Sequence, residues 1–278
     1  MGKIVWIASY PKSGNTWTRA FLHNLFAGGD AAYDINKMDK LSSNEAATAN
    51  YVAFDPRPWQ EWSPADVAAM RPKVQAWIAS TQPGNLFSKT HLAVMNAHGQ
   101  PTINYAVTAG AIYLVRNPLD VVPSYADHQG LPIDQAIAVL NLANHEPPTT
   151  HTTVAEPMGS WSQHVESWTA RPNPGLHVMR YEDMLADPQT AFSGLVKFLS
   201  VPVTRQRLRL AIKNASFKEL RRQEERAGFW EKTQVQKNFF RAGRAGGWRE
   251  VLSDEQVARV VEANREQMAR FGYLPEGF

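Results

Sequence analysis

The chain predicts an α/β fold in three layers, a central parallel sheet flanked by helices. Three observations carry this. Four short runs, Lys3–Ala8, Leu86–Lys89, Ala111–Val115 and Leu176–Arg180, are apolar or β-branched and end at polar residues. They alternate with stretches of helical periodicity, as parallel strands joined by crossover helices do. With 278 residues and 44% hydrophobic composition, the chain can bury one substantial core, so a single domain over 1–278 is expected.

The first helix is predicted over Asn15–Ala27, where Trp17, Phe21, Leu22, Leu25 and Phe26 share one stripe and Gly28-Gly29 ends it. Further helices fit Leu119–Asp127, Trp161–Ala170, Pro188–Phe198 and Asp254–Phe271. The last carries Val257, Val260, Val261, Asn264 and Met268 at helical spacing. Leu131–Met158, with Pro132, Pro147, Pro148 and Pro157, reads as a mobile loop holding one short helix, Ile133–Leu142. Gln223–Gly247, rich in charge and glycine, is a second candidate loop over a site, since long loops in compact domains are often lids or binding segments.

Composition narrows the function. A net charge of +3 suits an anionic small ligand and is too mild to argue for nucleic acid. The chain has no cysteine, which excludes disulfides, thiolate metal sites and cysteine nucleophiles. No apolar run reaches membrane-spanning length and no basic start leads into a signal core, so no membrane span is expected and a cytoplasmic protein is the default.

The informative segment is Ile4–Trp17. A short apolar run ends in a turn carrying Lys12, Ser13, Gly14, Asn15 and Thr16, and the turn opens an amphipathic helix. Backbone N–H groups at a helix start, beside a lysine and hydroxyls, bind phosphate. A Walker A loop needs a glycine four residues before Gly-Lys-Ser/Thr, and no Gly-Lys-Ser/Thr occurs in the chain. The run Ile112–Val115 ends in Arg116 rather than in the aspartate that holds magnesium in the NTPases. The turn is P-loop-like without the metal-handling part.

Tyr10-Pro11-Lys12-Ser13-Gly14-Asn15-Thr16-Trp17 resembles the 5′-phosphosulfate loop of the sulfotransferases that use 3′-phosphoadenosine-5′-phosphosulfate (PAPS), with Asn15 where that family usually has threonine. Tyr113–Ser124, a strand ending in Arg116-Asn117-Pro118 with Ser124 eight residues on, resembles the family's 3′-phosphate motif. An arginine fork matches a phosphate dianion, and Pro118 suits a first helical turn whose N-terminus favours the anion. Lys89-Thr90-His91, Arg180-Tyr181-Glu182-Asp183-Met184, Ala215-Ser216-Phe217 and Phe240–Trp248 are similar, in order, to four further segments of the family. Two departures stand out. Ala242 replaces a usual lysine, leaving Arg241 and Arg244 for the 3′-phosphate. The family's dimerisation pattern is not recognisable in Arg249–Gln256, so the oligomeric state stays open.

The resemblance implies the P-loop-like three-layer fold and a PAPS-dependent sulfotransferase (EC 2.8.2.-) with PAPS as co-substrate and no metal. It implies His91 as general base, Lys12 at the oxygen bridging to the departing 5′-phosphate, and Lys89 on the sulfonate. Asn15 and Thr16 would hold the 5′-phosphate through backbone N–H groups. Arg116, Ser124 and Arg241 would hold the 3′-phosphate, Trp17, Tyr181 and Phe217 would border the adenine, and Ser13, Gly14 and Gly243 would belong to the same cofactor site. Trp17 and Phe217 fit a hydrophobic core equally well, and Tyr181 a polar helix start. His145, His151 and His164 share no metal-ligand spacing with carboxylates and read as surface or acceptor-pocket residues.

The acceptor is expected to be a small molecule: a phenol, an alcohol, a sugar, a lipid head group or another natural product, through a hydroxyl or an amine. Asp55–Trp59, Leu131–Met158 and Gln223–Phe240 are expected to line its side, with Trp59, Trp62, Phe229 and Trp230 as stacking aromatics. The layout is similar to bacterial small-molecule sulfotransferases, including those acting on glycopeptides. A P-loop nucleotide kinase or NTPase, or a nucleotide-binding module without chemistry, are the alternative functions.

Overall fold

The structure, a computed structural model, describes residues 2–278. Its frame is five strands: β1 (Ile4–Ser9), β2 (Ser42–Asn44), β3 (Leu86–Thr90), β4 (Thr108–Val115) and β5 (Leu176–Arg180). All pair in parallel, in the order β2-β3-β1-β4-β5. The continuous apolar run of β1 follows from that central position, because a parallel sheet is covered on both faces.

Alternation along β1 assigns its side chains to two layers. Val5 and Ile7 join one core with Phe21, Leu22 and Leu25 of α1 (Asn15–Ala27). Ile4 and Trp6 face the opposite layer with Val67, Val74 and Ile78 of α2 (Pro64–Ser80). Ala8 meets Leu119 and Val122 of α3 (Pro118–Gln129) there. The second layer also takes α4 (Ile133–Asn141), α5 (Trp161–Thr169) and α9 (Asp254–Arg270). The first takes α6 (Pro188–Phe198), α7 (Arg205–Asn214) and α8 (Phe217–Ala227).

The expected strands and helices form with ends shifted by at most three residues, and Asn15–Ala27, Leu176–Arg180 and Pro188–Phe198 form with the expected bounds. Gly28 ends α1 in a left-handed conformation, φ 77°. Phe26 departs from the predicted stripe: it stands 42% exposed beside Phe87. The polar triplet of β2 carries no strand propensity and exists through its register with β3, Ser42 opposite Phe87. The stretch Gln223–Gly247 does not begin as a loop. Helix α8 runs to Ala227, and its charged sequence hides a narrow inner stripe of Leu220, Gln223 and Glu224.

Crossovers leave β1 toward β2 and β3 on one side, while β4 and β5 lie on the other. The segments following β1 and β4 therefore meet in a crevice at the carboxyl ends of the strands, the place where open α/β sheets bind ligands. Among the described residues, no helix is long and apolar enough to cross a membrane.

Candidate active site

The turn between β1 and α1 is built around two left-handed residues, Lys12 (φ 67°) and Gly14 (φ 105°). A non-glycine residue held there stores backbone strain that the surroundings must impose. Glycine is required at 14 twice over, because a Cβ would also stand 3.0 Å from the Tyr181 ring. As the residue preceding α1, Gly14 offers no capping side chain, so the first amides of the helix are left for an anion. The Asn15 side chain turns inward and fastens the turn, its Nδ2 donating to the Ile7 carbonyl at 2.8 Å and to Ser9 Oγ at 3.3 Å.

This turn borders a cavity of about 220 Å³. The turn and α1 contribute Lys12, Gly14, Asn15, Thr16 and Trp17, and the tip of β3 contributes Lys89 and His91. Arg116 and Ser124 come from the start of α3, and Tyr181, Phe217, Arg241 and Gly243 close the far side. Of the residues expected in the phosphate turn, Ser13 alone is absent from the lining. It is fully buried, with its hydroxyl unpartnered.

Arg116 joins the two halves of the site. Its Nη1 donates to the Lys12 carbonyl at 3.0 Å and its Nη2 to the Arg244 carbonyl at 3.3 Å, while its guanidinium carbon lies 4.3 Å from the centre of the Tyr181 ring. Its Nε is buried without a partner. Arg241 is exposed and forms no ion pair among the described residues. Arg244, the other candidate for the 3′-phosphate, is instead paired with Glu250 outside the cavity lining. Gly243 (φ 59°) lies against Phe217, and a Cβ there would come within 2.4 Å of that ring. Trp17 serves core and cavity together, packing edge-on against Tyr181 and Phe192.

His91 has a defined tautomer. Its Nδ1 lies 2.7 Å from the Ser9 carbonyl, which can only accept, so Nδ1 carries the proton and Nε2 keeps its lone pair. Burial, reinforced by the Lys89 charge, lowers its pKa to about 3. The ring is therefore neutral throughout the physiological range, with Nε2 free to accept a proton. Behind it His164 is fully buried, neither surface nor cavity residue as expected: its Nε2 donates to the His91 carbonyl at 3.0 Å, and its Nδ1 accepts from Tyr113 Oη at 2.8 Å.

Lys12 is buried deeply enough to lower its pKa to about 8, Asp127 opposing this and Arg116 adding to it. Glu231, between α8 and the Phe239-Phe240 pair, puts its carboxylate among these cations. Oε1 lies 2.5 Å from Arg19 Nη1 and 4.0 Å from Lys89 Nζ, and Oε2 accepts from Thr16 Oγ1 at 3.3 Å. Although burial opposes ionisation, Lys89 and Arg19 hold its pKa at about 2.

Glu231, Phe239 and Phe240 line the cavity from within the expected segment Gln223–Phe240, though none was singled out, whereas Arg19 and His128, which also line it, were missed. His128 follows Ser124 by one helical turn and shares its face, a usable signal. Arg19 follows the phosphate turn by three residues and is 2% exposed, a charge on an otherwise apolar face. Glu231 had no local signal. The expected acceptor aromatics are elsewhere: Trp62 and Phe229 are buried in the core, Trp59 packs against it, and Trp230 is an exposed surface residue. None of them lines this cavity, and Asp55–Trp59 and Leu131–Met158 contribute no lining residue. No cluster of histidine and carboxylate side chains able to hold a metal occurs among the described residues.

Comparison with known proteins adds the following. A family model described as a sulfotransferase domain matches residues 3–272. The chain is 24% identical to sulfotransferase 2A6 of Rattus norvegicus over 276 residues, covering 95% of this chain and 84% of that protein. It is 26% identical to sulfotransferase 1A1 of Mus musculus over 265 residues, covering 91% and 80%. Among solved structures, retinol dehydratase in complex with androsterone and the inactive cofactor PAP superposes with a TM-score of 0.65 at 18% identity, covering 95% of this chain and 80% of that one. Mouse sulfotransferase SULT7A1 complexed with PAP superposes with a TM-score of 0.63 at 19% identity, covering 96% and 84%. At such identities the structural likeness establishes the fold.

Proposed function

The chain belongs to the sulfotransferase family, and from that premise we propose that it transfers the sulfuryl group of PAPS to a hydroxyl or amine of a small-molecule acceptor. The observation that carries this reading is the hydrogen bond from Arg116 Nη1 to the Lys12 carbonyl, 3.0 Å. It couples the two candidate anion sites within one cavity, which supports a ligand charged at both ends. The residues present fit that ligand. The start of α1 lacks a side-chain cap, Arg116 Nε is unpartnered, and Gly243 keeps the floor beside Phe217 open.

PAPS, when bound, supplies an activated sulfuryl group and a 5′-phosphate leaving group. The chain's own residues do the rest. The turn amides orient the 5′ end, while Arg116, Ser124 and Arg241 fix the 3′ end. Lys12, a fixed cation, stabilises charge growing on the departing oxygen. Lys89 faces the transferred group. The free Nε2 of His91 accepts the acceptor's proton, and its Nδ1–H stays anchored on the Ser9 carbonyl. Phe239 and Phe240 shield this region from water. The retinol and androsterone named with the neighbouring dehydratase suggest apolar alcohols for an acceptor screen.

The test is a thermal shift with PAPS and with its desulfated product PAP, both without magnesium, followed by an acceptor screen read by product mass. Stabilisation by both nucleotides and a sulfated product are expected. Magnesium-dependent ATP binding in their place would return the protein to the NTPases. Nucleotide binding without any sulfated product would leave a module that has lost chemistry.

A further inference from the structure

The Glu231 carboxylate is an anion resting in an anion site. Its oxygens meet a hydroxyl (Thr16 Oγ1, 3.3 Å), a guanidinium (Arg19 Nη1, 2.5 Å) and an ammonium (Lys89 Nζ, 4.0 Å). Three donors from two elements, α1 and β3, thus converge on one pair of oxygens, which is what a small oxyanion requires. Arg19 is itself 2% exposed and held by a second bond, from its Nε to Ser42 Oγ at 3.0 Å, so its Nη1 is fixed in place. Glu231 is held differently. Exposed Trp230 and Lys232 flank it, and the segment leaves α8 through Gly228 (φ 70°), around which a Cβ would meet nothing within 4 Å.

We propose that Thr16, Arg19 and Lys89 form the subsite for the transferred sulfonate, and that Glu231 fills it until donor binding turns the carboxylate out. This inference rests on the PAPS reading above. The sulfonate end of the donor carries one negative charge, as the carboxylate does, so the exchange leaves the charge beside Arg19 and Lys89 unchanged. Position selects the sulfonate over the 5′-phosphate, since the subsite includes Lys89, which faces the transferred group, and shares its cavity with His91. Arg19 becomes a ligand of the transferred group.

The two nucleotides separate the possibilities, because PAP lacks the sulfonate. Calorimetric titrations of the full chain, without magnesium or acceptor, compare wild type with Glu231→Gln. The amide keeps the shape but removes the competing charge, so the affinity for PAPS should rise by about tenfold while that for PAP changes by less than about twofold. Equal tightening of both would put the carboxylate on the 5′-phosphate and overturn the subsite. Weakening of both would make Glu231 a structural anchor and overturn it too. Hydrogen exchange on the wild type needs no variant: amides 229–235 should exchange faster with PAPS than with PAP, and uniform protection by both would refute displacement. A wild-type chain that binds neither nucleotide fails at the earlier step, the sulfotransferase reading itself.

Discussion

The Lys12 ammonium stands 4.3 Å from the centre of the Phe239 ring, so the cation of the phosphate turn is roofed by an aromatic from the distant 228–246 segment. Burial beneath that roof lowers its pKa to about 8. Lysine is charged below its pKa, and a bound phosphate favours the charged form. PAP affinity should therefore hold at neutral pH and fall as pH rises through about 8, with proton uptake on binding above that point. Calorimetry at alkaline pH, in buffers of different ionisation enthalpy, measures that uptake, and Lys12→Met should abolish it. Wild type binding PAP without proton uptake under those conditions would remove Lys12 from the phosphate.

His91 gives a prediction of opposite sense. With its pKa lowered to about 3, the free enzyme keeps Nε2 unprotonated well below neutrality. Acidification from about pH 7.5 to about pH 5.5 should leave kcat/KM unaffected by this ring. His91→Ala should lower kcat roughly 100- to 1000-fold with PAP binding retained. An acid limb with a midpoint near 6.5, lost in that variant, would mean the ring is wetter than its burial indicates.

Gly243 sets a geometric limit. Its φ of 59° strains any other residue, and the added methyl of Gly243→Ala would meet the Phe217 ring at 2.4 Å. The ring must shift into the cavity or the loop must lift. PAP affinity should fall roughly tenfold, since strain of this kind costs on the order of 1–3 kcal/mol. The stability of the apo chain, followed by thermal denaturation, should change less than that of the PAP-saturated chain. An unchanged Kd would mean that Phe217 does not border the nucleotide.

The part of the cavity formed by the β1–α1 turn and the start of α3 was legible in the sequence because its pieces are local. A strand, a turn and a helix start lie within Ile4–Trp17, and a second strand, an arginine and a proline-led helix lie within Tyr113–Ser124. Local order also exposed four of the five strands, whereas β2 is visible only through its pairing with β3. The rest of the cavity resisted because its pieces are distant in the chain. Glu231 reaches Thr16 and Arg19 across more than 200 residues of chain. The tryptophans that looked like stacking platforms went to the core or the surface, because an aromatic count does not distinguish a binding wall from packing. His91 was found by position, yet its neutral state depends on burial and on the Ser9 carbonyl, neither of which a sequence displays.

On the proposed function, Arg116 separates recognition of the 3′-phosphate from general anion binding. Its planar fork spends two donors on the carbonyls of Lys12 and Arg244 and keeps a buried Nε free, while its face rests on Tyr181. Lysine supplies the same charge from one point and cannot hold both carbonyls while facing a phosphate. Arg116→Lys should therefore weaken PAP by roughly 10- to 100-fold, the worth of one or two charge-assisted hydrogen bonds. Adenosine 5′-phosphate, which lacks the 3′ group, should lose far less. Titrating both nucleotides into wild type and variant gives the ratio directly. If the two lose affinity equally, Arg116 acts only by holding the Lys12 turn in its left-handed conformation, and the 3′-phosphate must be bound by Arg241 and Ser124.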